Sequence, residues 1–107
     1  MNEAWVEGET QSRDYRLDSG TAADDLTGKT LTVVLTKRDG TPVASPGTVV
    51  ADPDQIANKG KCTYTPAAST FIAADGPYRA RFRAQQGPQL KFYPSDQDGE
   101  RWEISLP

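Results

Sequence analysis

The run "KTLTVVLTK" at 29–37 places Leu31, Val33 and Leu35 on one face and Thr30, Thr32, Val34 and Thr36 on the other. A period of two with apolar residues on one side predicts a half-buried β-strand. "DGPYRARFRA" at 75–84 repeats the pattern, with Tyr78, Ala80, Phe82 and Ala84 against Arg79, Arg81 and Arg83. "RWEISL" near the end sets Trp102, Ile104 and Leu106 against Arg101, Glu103 and Ser105. Shorter candidates are "DYRLD" with Tyr15 and Leu17, "GTVVA", "KCTYT" with Cys62 and Tyr64, and "LKFYP" with Leu90 and Phe92.

Turn signals separate these runs: "EGE", "DSG", "LTGK", "RDGTP", "SPG", "DPD", "NKGK", "DGP", "QGP" and "DQDGE". Glycine supplies positive φ, proline presets φ, and Asp or Asn closes side-chain turns, so each cluster can reverse the chain. Helices of ordinary length do not fit between most of them. "QQGPQ" reads as a hairpin of about five residues. Residues 65–75 lack the period and read as a crossover with one helical turn, Phe71 plugging a core end. The pattern predicts an all-β chain, an immunoglobulin-like antiparallel β-sandwich of about seven or eight strands. Residues 1–24 form an N-terminal segment, read as an extended arm or a first strand, and 25–107 form the sandwich. Residues 1–11 are expected to be the most flexible.

Composition narrows the function. A chain of 107 residues fits one domain with one modest core. The net charge of −3 disfavours a general nucleic-acid partner, because such modules carry a basic excess to neutralise phosphates. Apolar stretches such as "LTVVL" fall far short of the ~20 residues of a membrane-spanning helix. The N-terminus lacks the basic start and apolar segment of a signal peptide, so cytoplasmic synthesis is expected. The sequence contains no histidine and one cysteine, Cys62, which removes the commonest general base, the histidine-dependent triads, an internal disulfide and any zinc spacing. No enzymatic activity and no cofactor are expected.

Three groups of residues carry candidate chemistry. Asp96, Asp98 and Glu100 in "DQDGE" begin like a calcium loop, but a bidentate carboxylate at loop position 12 is missing, since Pro107 stands there. A polar turn is the simpler account, and Asp52 and Asp54 could join a site only if folding brought the loops together. Arg79, Arg81 and Arg83 form either a solvated face, balanced by acids such as Glu103 on a neighbouring strand, or a docking row. Guanidinium forks bind carboxylates in pairs, and arginine is enriched in interfaces. An RNA platform fits less well, because Tyr78 and Phe82 take the other face. Trp5 is open to either a stacking or a core role, whereas Trp102 shares the face of Ile104 and Leu106 and belongs to the core.

The order "DLTGKTLTVVLTKRDGTPV", "GKCTYTP", "DGPYRARFRA", "LKFYPSDQDGERWEISL" resembles the N-terminal domain family of the phage baseplate upper protein and related immunoglobulin-like modules of tailed-phage virion proteins. The match runs over residues 25–106. The resemblance implies a non-catalytic sandwich that joins components of a virion, present in multiple copies in a symmetric particle and bound to other virion structural proteins, with no membrane partner. It carries over no catalytic residues. The chain departs from longer family members in having no coiled coil or receptor-binding region downstream, which opens its place to baseplate, tail, head-tail connector or capsid surface. The alternative is a surface module that binds carbohydrate or calcium through Trp5 and the "DQDGE" loop.

Overall fold

A computed structural model describes residues 3–18, 22–94 and 99–107. Among them eight strands form: β1 (Glu3–Val6), β2 (Arg13–Arg16), β3 (Thr30–Thr36), β4 (Thr48–Ala51), β5 (Lys61–Thr65), β6 (Tyr78–Gln86), β7 (Gln89–Tyr93) and β8 (Glu100–Ser105). One sheet runs β1-β8-β6-β3 with β7 also on β6, and the other runs β2-β5-β4. In immunoglobulin terms β2, β5 and β4 take the places of strands B, E and D, and β3, β6 and β7/β8 those of C, F and G. The long strand β6 shares one edge between two partners: Tyr78–Ala80 pair with β8, and Phe82–Gln86 pair with β7.

The N-terminal stretch follows the first-strand reading and not the flexible one expected of residues 1–11. β1 is a sheet strand and not a flexible tail, because Trp5 is only 1 % exposed and anchors it. β1 pairs with β8 in parallel, so the sandwich is not wholly antiparallel. Within 1–24 the chain gives β1 to one sheet and β2 to the other. The "QQGPQ" hairpin is tighter than five residues: Gly87 and Pro88 alone connect β6 to β7. Gly87 has φ +58°, the left-handed value that a two-residue turn with glycine at its first central position requires.

An aromatic cluster fills the space between the sheets. Trp5 stacks on Phe71 at 4.7 Å between ring centroids and lies 5.4 Å from Trp102 and 5.7 Å from Tyr64. Tyr15 stacks on Trp102 at 5.9 Å. Each such pair contributes about 0.5–1.5 kcal/mol beyond its buried area. Trp102 and Phe71 are core residues, as the pattern predicts. The helical turn expected in 65–75 is a short 3-10 turn, Ala73–Asp75. At the start of β6 the Tyr78 hydroxyl donates to the Thr70 carbonyl at 3.0 Å and accepts from the Ile72 amide at 2.9 Å. This matches the tyrosine corner of immunoglobulin-like domains and ties the crossover from β5 to the sheet.

Candidate functional site: the outer face of the five-stranded sheet

Alternation along β6 aims Tyr78, Ala80, Phe82 and Ala84 into the core and Arg79, Arg81, Arg83 and Gln85 outward. Side chains two apart on a strand stand about 6.7 Å apart, so the guanidinium groups form a row. Residues opposite one another in register share a face. The outer face therefore also carries Thr32, Val34 and Thr36 of β3, Leu90 and Phe92 of β7, Arg101 of β8 and, one strand further, Ala4 and Val6 of β1 beside Glu103 and Ser105.

The arginines are held in different ways. Arg81 lies with its guanidinium carbon 4.2 Å from the Phe92 ring centroid, and its Nε donates to the Pro94 carbonyl at 3.3 Å. Arg83 donates from one terminal nitrogen to the Gln85 Oε1 at 3.0 Å, while its Nε is buried without a hydrogen-bond partner. Arg79 is exposed and stands opposite Arg101. Glu103, suggested by the sequence as a balancing acid, bonds the Nε of Arg101 on its own strand. Gly99 packs closely beside this row: at φ +67° an added Cβ would lie 2.6 Å from the Ala80 carbonyl oxygen and 2.8 Å from the Arg81 side chain.

Phe92 and Leu90, which the sequence reading takes as the apolar positions of the "LKFYP" strand, stand on this outer face, and Tyr93 is the buried residue of the strand. "FY" is a doublet of adjacent aromatics, and the period does not say which of the two turns inward. The structure turns Tyr93 in, opposite Phe82, and Phe92 out, opposite Arg83. An RNA platform needs an aromatic ring on the same face as the arginines. Phe92 does share it, but its ring is covered by the Arg81 guanidinium.

The other candidates fall elsewhere. Trp5 is not a surface contact residue: the aromatic cluster buries its ring, and the Arg13 guanidinium covers it at 3.6 Å. Asp96 and Asp98 lie outside the described residues. Glu100 accepts from the Trp102 Nε1 at 3.3 Å. Asp52 accepts from the Asp54 amide and Asp54 from the Ala57 amide, both serving their own turn. Among the described residues no group of three or more acidic or cysteine side chains could hold a metal ion.

Several clefts open among the described residues. One of about 390 Å³ beside the β6–β7 hairpin is lined by Lys29, Ala84, Gln86, Gln89, Leu90 and Lys91. Another, of about 260 Å³, lies at the arginine face and is lined by Arg38, Pro77, Tyr78, Arg79, Gly99 and Arg101. A further one, of about 240 Å³, opens between the sheets and includes Tyr15, Phe82, Tyr93 and Glu100 in its lining. Next to it Asp24 accepts from the Tyr93 hydroxyl at 2.5 Å and from Lys91 at 2.7 Å. Burial and the Asp24 carboxylate push the Tyr93 phenol up, so it keeps its proton. No protein-family model, curated protein or solved structure matches this chain.

Proposed function

We propose that the protein is a non-enzymatic assembly subunit of a tailed-phage virion, which binds neighbouring particle proteins through the outer face of its five-stranded sheet. The observation that carries the reading is the arginine row of β6, aimed outward beside Arg101 and flanked by Val34, Phe92 and Leu90. A flat face with guanidinium forks around apolar contacts suits an acidic protein surface, where bidentate pairing gives orientation and aliphatic contact gives burial. The likeness of residues 25–106 to immunoglobulin-like virion modules supplies the setting.

The test is a pull-down of tagged protein from an induced or infected host lysate, read by mass spectrometry, with Arg79→Glu and Arg81→Glu beside the wild type. Recovery of capsid, connector, tail or baseplate proteins by the wild type is expected, and the identity of the recovered protein names the position in the particle. Arg79 is exposed, so its reversal should leave the circular dichroism spectrum unchanged while weakening capture by the ~2–4 kcal/mol of an interface hot spot. Unchanged capture by both variants would overturn the docking row. A carbohydrate- or calcium-binding module is the other reading, and the burial of Trp5 removes the stacking residue it relied on. Calorimetry with calcium and a glycan panel separates the two.

A further inference from the structure

The cleft at the start of the arginine row gathers a cation that the row itself does not contain. Arg79 on β6 and Arg101 on β8 stand directly opposite one another in register, a placement that is destabilising when both side chains carry the same charge. Arg38 reaches the same cleft from the other side. Thr36, the last residue of β3, pairs with Arg79, and two residues later the Arg38 amide donates to the Asp75 carbonyl at 3.0 Å. Pro77, Tyr78 and Gly99 complete the lining, so among the described residues it holds three guanidinium groups and no carboxylate. Of the neighbouring acids, Asp75 pairs with Lys37 at 3.4 Å, and Glu103 takes the Nε of Arg101. A guanidinium has five N–H donors, so one such bond does not exhaust it. The whole chain carries a net charge of −3, and this concentration of positive charge is therefore local.

We infer that this cleft binds a compact phosphoryl dianion, either inorganic phosphate or the terminal group of a small phosphate monoester. Size favours a single group over a whole cofactor: at about 260 Å³ the cleft is smaller than the ~300–1,000 Å³ of pockets that bury a drug-sized ligand. Charge then selects among small anions. A carboxylate brings one charge and two oxygens, which satisfy one guanidinium fork. A phosphate monoester brings about −1.5 to −2 charges near pH 7 and three strong acceptor oxygens, which three guanidinium groups can share. A nucleic-acid backbone fits less well, since each of its phosphates carries a single charge. Bound phosphate would convert the repulsion between Arg79 and Arg101 into attraction toward a shared anion. The inference needs no protein partner and stands apart from the assembly reading, although Arg79 belongs to both surfaces.

The test is a titration of the purified, isotope-labelled chain with inorganic phosphate at constant ionic strength, followed through amide NMR shifts. Saturable shifts are expected at Arg38, Arg79, Gly99 and Arg101, with a Kd of about 1 mM for so open a cleft. Arg38 and Arg79 are both exposed, so Arg38→Gln and Arg79→Gln should keep the fold. Each should weaken binding about tenfold or more, through loss of one charge-assisted donor. Lys59→Gln removes the same charge from an exposed position between β4 and β5 and should leave the titration unchanged. Acetate should bind at least about tenfold more weakly than phosphate, because it satisfies one fork. Phenyl phosphate separates the two sources: affinity equal to that of inorganic phosphate supports the terminal group of an organic phosphate, and much weaker binding supports free phosphate. No saturation by ~50 mM phosphate, unchanged affinity in both arginine variants, or acetate matching phosphate would overturn the assignment. No second protein is present, so a negative titration leaves the docking row to be judged by capture alone.

Discussion

Tyr78→Phe removes one oxygen atom from the corner where the β5–β6 crossover meets the sheet, and its cost can be worked from the two bonds lost. The hydroxyl donates to the buried Thr70 carbonyl and accepts from the Ile72 amide. The phenylalanine ring keeps the packing against Phe71, whose centroid lies 5.9 Å away, so the change is confined to polar groups. A buried donor or acceptor left without a partner costs about 1–3 kcal/mol. Two such groups, one of them only partly buried, place the loss at about 2 kcal/mol, or about 8–10 °C in Tm for a domain of this size. Tyr15→Phe is the comparison variant, since the Tyr15 hydroxyl is buried with no hydrogen bond of good geometry and only a weak interaction with Glu3. Removing it should cost less than removing the Tyr78 hydroxyl, because little compensation for its desolvation is lost. Urea unfolding followed by circular dichroism measures both variants, with unchanged slopes expected. A loss below about 0.5 kcal/mol for Tyr78→Phe, or equal losses for the two variants, would refute this account of the corner.

Trp5→Ala should cost about 3–5 kcal/mol, because it empties the centre of the aromatic cluster and frees β1 from β8; a cost under about 1 kcal/mol in the same unfolding assay would return Trp5 to the surface. Stability should also fall in alkali. Burial, with a smaller contribution from Asp14, pushes the Cys62 thiol up to about 12 from its ordinary 9.0, and burial raises the Tyr64 and Tyr78 phenols as well. Above pH 9 the unfolded chain releases protons that the folded chain retains. The stabilisation is therefore complete below pH 9 and declines as pH rises toward 12. Urea midpoints at pH 8, 9.5 and 10.5 should decrease in that order, and a flat series would contradict the burial of these groups.

The strands with full alternation were legible in the sequence, because a half-buried strand needs one apolar residue in every two, and β3, β5, β6 and β8 satisfy that requirement over five or more residues. β1 was not legible. Glu3–Val6 offers one large inward side chain, Trp5, flanked by Ala4 and Val6, and its partner β8 lies at the other end of the chain, where no local pattern points. The arginine row was visible as three outward side chains, but the apolar flank was not: Phe92 and Tyr93 sit side by side, and the pairing of β7 with the far half of β6 decides which one faces out. The strand order of the three-stranded sheet was equally hidden, since it depends on contacts between distant segments.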